Sequence, residues 1–467
     1  MKTSIHPQPG HVLILGFGAS GQAAARLALR DGEEVQVIDS GRPAADVVAE
    51  FSRAGARVLT GWDGDCWSGK PALAVISPGI SPDSPLGDLA AGLSCPVISE
   101  LEYGFRHCRA PVLAVTGTNG KTTTVECLTH CLKTAGKRAV AAGNIGLPLS
   151  DPDVCLGDWD AIVAEVSSFQ LERIDTFAPV AAALLNVSPD HLDRHGDVDT
   201  YRRVKTRMLT RVADPEKRVA RLDLAESAWF RDILGDDSGS VITFSSLPGD
   251  SAVFGVDAAG EFLVERANGR ETEMMAVGDL PLQGRHNVEN VLAGLAVAAA
   301  AGIPPMDMIP GLRTFASSPH RLQHVGVYGG VTFINDSKAT NPDAMIRALE
   351  AVGEGRGKRI LLIAGGLDKG VDFISVKHVI ASFCKYVFLI GKCRERLANQ
   401  WGDVVSCEVC DTMAAAVASA VKKSVPDDVV LLSPGCASMD MFLNYAERGL
   451  LFSDQVRRIC EHDKKNC

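Results

Sequence analysis

Short aliphatic runs that end in glycine, serine or another small polar residue recur along the chain: "HVLILGFG", "LAVISPG", "PVLAVTGTNG", "AIVAEVSS", "AALLNVSPD", "RILLIAGG", "YVFLIG" and "VVLLSPG". Segments of helical periodicity lie between them. Continuous apolar runs alternating with helical patterns predict parallel strands buried on both faces, an α/β architecture. In such sheets ligands gather beyond the carboxyl ends of the strands, so the polar residues that close the runs are where chemistry is expected. One stretch differs. Residues 251–275, "SAVFGVDAAGEFLVERANGRETEMM", alternate in short runs with turn residues and predict antiparallel hairpins beside a main sheet. The alanine-rich run Val291–Ile303 predicts a buried helix. The pattern divides the chain into three blocks: 1–99, 100–318 and 319–467.

Composition narrows the classes. A chain of 467 residues, 46% hydrophobic and 22% charged, suits about three packed domains. Its 47 basic and 57 acidic residues give a net charge of −10, which argues against tracking a nucleic-acid backbone. Anionic substrates would have to be captured by local cationic spots. No stretch reaches the roughly 18 uninterrupted apolar residues of a membrane span. Pro7 and Pro9 interrupt any signal-peptide pattern at the N-terminus. The thirteen cysteines are scattered, and the Cys407–Cys410 CxxC has no second pair nearby. Reduced thiols in a cytoplasmic protein are the expectation.

The strongest local signal is "VTGTNGKTTT", residues 115–124, which closes an apolar run and opens a helical stretch. The strict phosphate-loop pattern G-x-x-x-x-G-K-[ST] would place glycine at 115, whereas Val115 can finish the strand. Backbone N–H groups of Gly117, Thr118, Asn119 and Gly120 would face phosphate oxygens, helped by the positive end of the helix that continues through Thr123. Lys121 adds a point charge, and the Thr122 hydroxyl would reach magnesium. Glu165 closes "AIVAE" inside a buried run, where an unpaired carboxylate would be expensive, so it is a candidate metal ligand. His191 follows another strand end. Taken alone, it reads more readily as a satisfied surface histidine than as a ligand, and Lys205 in "YRRVKTRML" reads as a surface lysine. "GFGASG", Gly16–Gly21, follows a strand and precedes Asp39 at the next strand end, which by itself suggests a dinucleotide such as NAD.

Together, "TGTNGKTTT", "AEVSSFQLE", "NVSPDHLDRH" and "YRRVKTRML" resemble, in that order, the Mur ligases of peptidoglycan synthesis. The third block, with "SSPHRLQ", "NDSKATNPDA", "IAGGLDKGVDF" and "LLSPGCASMDMFLNYAERG", looks like the branch of the family that adds D-glutamate. The resemblance implies a Rossmann-like N-terminal domain for a UDP-linked precursor, a P-loop ATPase-like central domain with extra antiparallel strands, and a Rossmann-like C-terminal domain for D-glutamate. It implies ATP-dependent ligation through an acyl phosphate, with UDP-N-acetylmuramoyl-L-alanine, D-glutamate and ATP as substrates. Carboxylate and triphosphate repel by about 4 kcal/mol per unit-charge pair at 4 Å and an effective dielectric near 20. The family answers this with two magnesium ions.

By the same resemblance, Thr122, Glu165, His191 and a carbamylated Lys205 hold metal, and Lys121 and Lys338 are catalytic cations. A lysine of ordinary pKa is neutral in only about one molecule in 2,500 at pH 7, so the site of Lys205 must depress its pKa. Asn287, Asn290, Arg321 and Asp336 are implied around ATP, with N-capping as a competing role for Asn287. Gly18, Ser20, Gly21, Asp39, Ser77, Gly79 and Asn144 are implied around the precursor, so the "GFGASG" cleft holds a uridine diphosphate instead of NAD. Thr340, Lys369, Ser438, Met439 and Tyr445 are implied around D-glutamate. The branch often carries Leu and Phe where this chain has Met439 and Tyr445. A monomer that closes between its second and third blocks is expected.

Overall fold

The computed structural model describes residues 11–64, 67, 69–282, 284–316, 319–367 and 373–465. Three sheets follow one another along the chain. The first holds β1 (Val12–Leu15), β2 (Val35–Asp39), β3 (Arg57–Thr60), β4 (Leu73–Ile76) and β5 (Val97–Ser99), all parallel in the order β3-β2-β1-β4-β5. The order reverses at β1, which pairs with β2 on one side and β4 on the other. A crevice therefore opens beyond the carboxyl ends of β1 and β4.

The second sheet holds β6 (Val112–Thr116), β7 (Ala139–Gly143), β8 (Ala161–Glu165), β9 (Ala181–Leu184), β10 (Arg218–Arg221), β11 (Ile242–Pro248), β12 (Phe254–Val256), β13 (Phe262–Ala267) and β14 (Arg270–Ala276). Their order is β14-β13-β12-β11-β10-β9-β6-β8-β7. Pairing is parallel from β7 through β12 and antiparallel for β13 and β14, so the 251–275 hairpins extend the edge of the main sheet. The third sheet holds β15 (Gln323–Tyr328), β16 (Val331–Asn335), β17 (Ile360–Gly365), β18 (Cys384–Ile390), β19 (Ser406–Val409) and β20 (Val429–Leu432), in the order β15-β16-β20-β17-β18-β19. Only β15 is antiparallel among the strands of this sheet, and the hydrophobic pattern does not announce it, because no residue of this edge strand is fully buried. Gly329 and Gly330, both at positive φ, make the tight turn that folds β15 onto β16.

The apolar runs do what their composition asks. Every residue of β1, β6, β8, β9 and β20 is buried. One core joins the first two sheets, through Ile14 and Val37 on one side and Val112, Ile162 and Ala182 on the other. In the third sheet successive residues alternate between faces. Leu362 and Leu431 pack with Trp401, while Leu361 and Val430 pack with Phe452. The helix Arg285–Ala300 buries Val291, Leu292, Leu295, Ala296 and Val297.

Packing divides the chain into two compact units, 1–280 with 289–315, and 281–288 with 316–467. The first unit contains the first two sheets. The expected boundary at 99/100 lies inside it, where β5 runs directly into the helix Glu100–His107. The division between the units falls within the helix Arg285–Ala300.

Candidate active site

The centre of the second sheet builds a phosphate-loop geometry. β6 ends at Thr116, whose hydroxyl donates to the Val166 carbonyl at 2.7 Å. The chain then turns through Gly117–Gly120 into the helix Lys121–Thr134. Gly120 has φ +86, and a Cβ there would lie 2.2 Å from Asn290 Oδ1, so both backbone and space require glycine. Val115 is fully buried within β6, so the strand runs through the position where the strict pattern has glycine and ends one residue later, at Thr116. The loop is pinned by a residue that sequence reasoning passed over. Asn186 Oδ1 accepts from the Asn119 N–H at 2.9 Å, and its Nδ2 donates to the Asn119 carbonyl at 3.0 Å. The Thr118 hydroxyl donates to the Ser188 carbonyl at 3.1 Å and lies 3.2 Å from the Tyr201 hydroxyl.

Two amines converge on this loop. Lys121 Nζ donates to the carbonyls of Gly117 (2.8 Å) and Thr118 (2.9 Å). Lys205 Nζ, reaching in from the helix Val198–Thr210, donates to the same Gly117 carbonyl at 2.8 Å. Lys205 is buried, and its pKa lies well below the ordinary lysine value. Burial is the largest cause and the charge of Lys121 the next, while Asp190 and Glu165 pull the other way. The surface-lysine alternative is therefore set aside. Its amine also stands over the Tyr201 ring, 4.7 Å from the centroid.

Beside the amines, the Thr122 hydroxyl donates to Glu165 Oε2 at 2.6 Å. Asn144, which the family resemblance implies around the precursor, donates its side-chain amide to Glu165 Oε1 at 2.7 Å, beside the candidate metal ligands. His191 adopts a left-handed backbone (φ 54, ψ 34) and caps the short turn Leu192–His195. Its N–H donates to Asp190 Oδ1 at 2.9 Å. Asp190, buried and directly before His191 in the quoted motif, is a further acidic group of the site that the sequence reading left out. A hydroxyl and two carboxylates around one loop are the oxygen donors a hard cation takes, so the residues fit magnesium.

In the first sheet, the three glycines of "GFGASG" have three different surroundings. Gly16 has φ +89, and nothing would meet a Cβ at Gly18 within 4 Å. A Cβ at Gly21 would lie 1.8 Å from the Gly16 carbonyl oxygen, so Gly21 is where the helix Ala19–Arg30 packs on the turn, and Gly18 and the half-buried Ser20 face outward. Asp39 ties the same turn to the end of β2, accepting from the Phe17 N–H (2.5 Å) and from the Gly41 N–H two residues on (2.6 Å). Ser77, after β4, donates to the Gly16 carbonyl at 3.4 Å, and Gly79 opens onto space.

In the second unit, Asp336 directly follows β16, accepting from the Leu322 N–H (3.2 Å) and the Ser433 hydroxyl (3.0 Å). Burial pushes its pKa up to about 7. Lys338 Nζ stands 3.8 Å from the centre of the Tyr445 ring. Ser438 is buried, Thr340 is half-buried and Met439 is 69% exposed. Lys369 lies outside the described residues. Arg448, fully buried, ties two loops together by donating to Ser337 Oγ (3.0 Å), the Ser337 carbonyl (2.7 Å) and the Cys436 carbonyl (3.0 Å). Arg321 and Asn287 belong to this unit and Asn290 to the first. Asn287 is not a helix cap: the helix begins at Arg285, and the Asn287 N–H bonds back to the Gly284 carbonyl at 2.9 Å.

A phosphate loop, a buried amine and acidic groups at the mouth of a parallel sheet, in a chain that carries two further α/β sheets, define a nucleotide-dependent α/β enzyme. Family models bear this out: the Mur ligase middle domain matches residues 115–298, and the Mur ligase glutamate ligase domain matches residues 320–436. The chain belongs to the Mur ligase family, among relatives named UDP-N-acetylmuramoylalanine–D-glutamate ligase. That of Pelotomaculum thermopropionicum is 37% identical over 95% of this chain and 97% of its own. That of Frankia casuarinae is 38% identical over 98% and 96%. Among solved structures, the UDP-N-acetylmuramate–alanine ligase of Thermotoga maritima matches with TM-score 0.61 at 19% identity, covering 96% of this chain and 99% of that one. The MurF ligase of the same organism, solved in complex with ADP, matches with TM-score 0.58 at 17% identity over 91% and 96%. These two likenesses establish the three-domain fold.

Proposed function

We infer that the chain is an ATP-dependent ligase that joins D-glutamate to UDP-N-acetylmuramoyl-L-alanine in peptidoglycan synthesis. The observation that carries this reading is the meeting of Lys121 and Lys205 on the Gly117 carbonyl beside the Thr122–Glu165 pair. The relatives' activity supplies the substrates. A carboxylate resists amide formation because oxide would have to leave. In the proposed reaction the L-alanine carboxylate attacks the γ-phosphorus of ATP, the bond to the ADP oxygen breaks, and an acyl phosphate forms. The free amine of D-glutamate then attacks the acyl carbon and loses a proton, and the tetrahedral intermediate collapses with loss of phosphate. Such a transfer depends on positioning and charge, which the loop N–H groups and Lys121 provide.

Two magnesium ions, held by Thr122, Glu165, His191 and a carbamylated Lys205, would supply neutralisation between carboxylate and triphosphate. The lowered pKa of Lys205 supports its modification, since only the neutral amine adds to carbon dioxide, releasing a proton as the carbamate forms. Asn287, Asn290, Arg321 and Asp336 would hold ATP, and Lys338 would offset charge at the reacting groups. Thr340, Lys369, Ser438 and Tyr445 would receive D-glutamate. The reading includes a cytoplasmic monomer with domains 1–99, 100–318 and 319–467. Among the described residues no helix is long and apolar enough to cross a membrane. Phosphate release from ATP, measured with the precursor and with or without D-glutamate, tests it. Sustained release that needs both is expected, and no nucleotide consumption with both present would overturn the assignment.

A further inference from the structure

Arg194 lies three residues after His191 on the turn Leu192–His195, and its guanidinium makes four donations. Nε and Nη2 form a two-point pair with Glu172 at 3.0 and 2.6 Å. Nη1 donates to the carbonyls of Pro78 (3.1 Å) and Ile80 (2.9 Å), the residues that flank Gly79 in the turn after β4. The guanidinium carbon sits 4.2 Å above the centre of the Phe169 ring. That ring in turn meets His191 edge-on, with centroids 4.8 Å apart, and lies 5.7 Å from His195. The Arg194 side chain is only 14% exposed.

The crevice turn and the His191 turn are thus joined through one planar cation. A lysine cannot reproduce this, because four directed donations and a stacked face need the fork of a guanidinium. A Cβ at Gly79 would meet nothing within 4 Å, while the carbonyls on either side of it both accept from Arg194. We propose that Arg194, with Glu172 and Phe169, is a positioning clamp through which occupancy of the β1–β4 crevice sets the placement of the His191 ring. The proposal rests on the crevice being the site of a nucleoside diphosphate group.

Histidine-labelled full-length protein, titrated with UDP alone and followed by NMR of the imidazole signals, tests it without metal or turnover. The His191 signal is assigned by its loss in His191→Asn. In the unsubstituted protein UDP shifts that signal. In Arg194→Lys and in Phe169→Leu, UDP binds within about threefold of the original affinity while the shift falls by more than half. A shift that persists undiminished in both variants overturns the clamp, because a direct effect of UDP on His191 would not need Arg194. Binding of UDP without any His191 response overturns the clamp alone. Failure of UDP to bind the unsubstituted protein overturns the crevice assignment and the clamp with it.

Discussion

The Gly117 carbonyl accepts from two lysines, and the two pay different costs for being there. Lys121 stands at the start of a helix on a half-buried loop, whereas Lys205 is buried, with Lys121 and burial both opposing its charge. A lysine whose folded pKa is depressed contributes stability above its unfolded pKa of 10.5 and loses it as pH falls through the folded value, because only the unfolded chain binds the proton in between. Replacing Lys205 with methionine leaves Gly117 its bond to Lys121 and removes that penalty. In bicarbonate-free buffer at neutral pH, Lys205→Met is expected to be more stable by about 1 kcal/mol in denaturant titration, yet inactive. Lys205→Ala leaves room for a short carboxylic acid, which should restore part of the turnover. Equal or lower stability of the methionine variant, or retained activity in either, would contradict this account. The sequence names Lys205 only through its family pattern. Burial and the shared carbonyl, which distinguish it from the neighbouring Arg202 and Arg203, exist only once the helix Val198–Thr210 has docked.

At the scale of elements, similar glycine-rich turns at strand ends serve different ends. A Cβ at Gly21 would strike the Gly16 carbonyl at 1.8 Å, while one at Gly18 meets nothing within 4 Å. Gly21→Ala is therefore expected to force the helix Ala19–Arg30 away from β1, costing about 1–3 kcal/mol of stability and at least tenfold in UDP affinity. Gly18→Ala should fold as the original does, with any loss confined to binding. Thermal unfolding and UDP titration separate the two, and equal behaviour would refute the packing role. The three glycines were legible as a motif, but which one packs and which one faces a ligand was not, since that depends on the helix crossing the turn. Asn186 and Asp190 escaped notice for a similar reason. Each closes or follows an apolar run as loop residues commonly do, and only the adjacency of β9 to β6 brings Asn186 to the phosphate loop.

Across the whole molecule, a buried glutamate and a half-buried histidine give the units opposite pH responses. Glu100, at the head of the helix after β5, is fully buried, with Oε1 accepting from the Ser150 N–H at 2.7 Å. Burial pushes its pKa up to about 7 from 4.5. Its contribution is fully present below pH 4.5 and is lost as pH rises through about 7. In the second unit, burial first and then the charges of Arg347 and Arg321 lower His286 to about 4 from 6.5. That contribution is present above pH 6.5 and is lost as pH falls through about 4. Thermal unfolding across this range should therefore show Glu100→Gln gaining stability at pH 8 relative to pH 5, and His286→Gln gaining at pH 5 relative to pH 8. Parallel profiles for both variants and the original chain would exclude these two groups as the source.

By itself the sequence determined the buried parallel strands, the place of the phosphate loop and the family, because such strands need continuous apolar runs and phosphate turns need glycine followed by lysine. Both requirements are local. Tertiary structure alone decided which polar side chains meet: Asn144 with Glu165, Lys205 with Gly117, and Arg194 with the crevice turn. It also placed Asn287 and Asn290 in different units, though a single helix carries both. Such meetings depend on strand order and helix docking, which join residues far apart in the chain and leave no periodic trace in it.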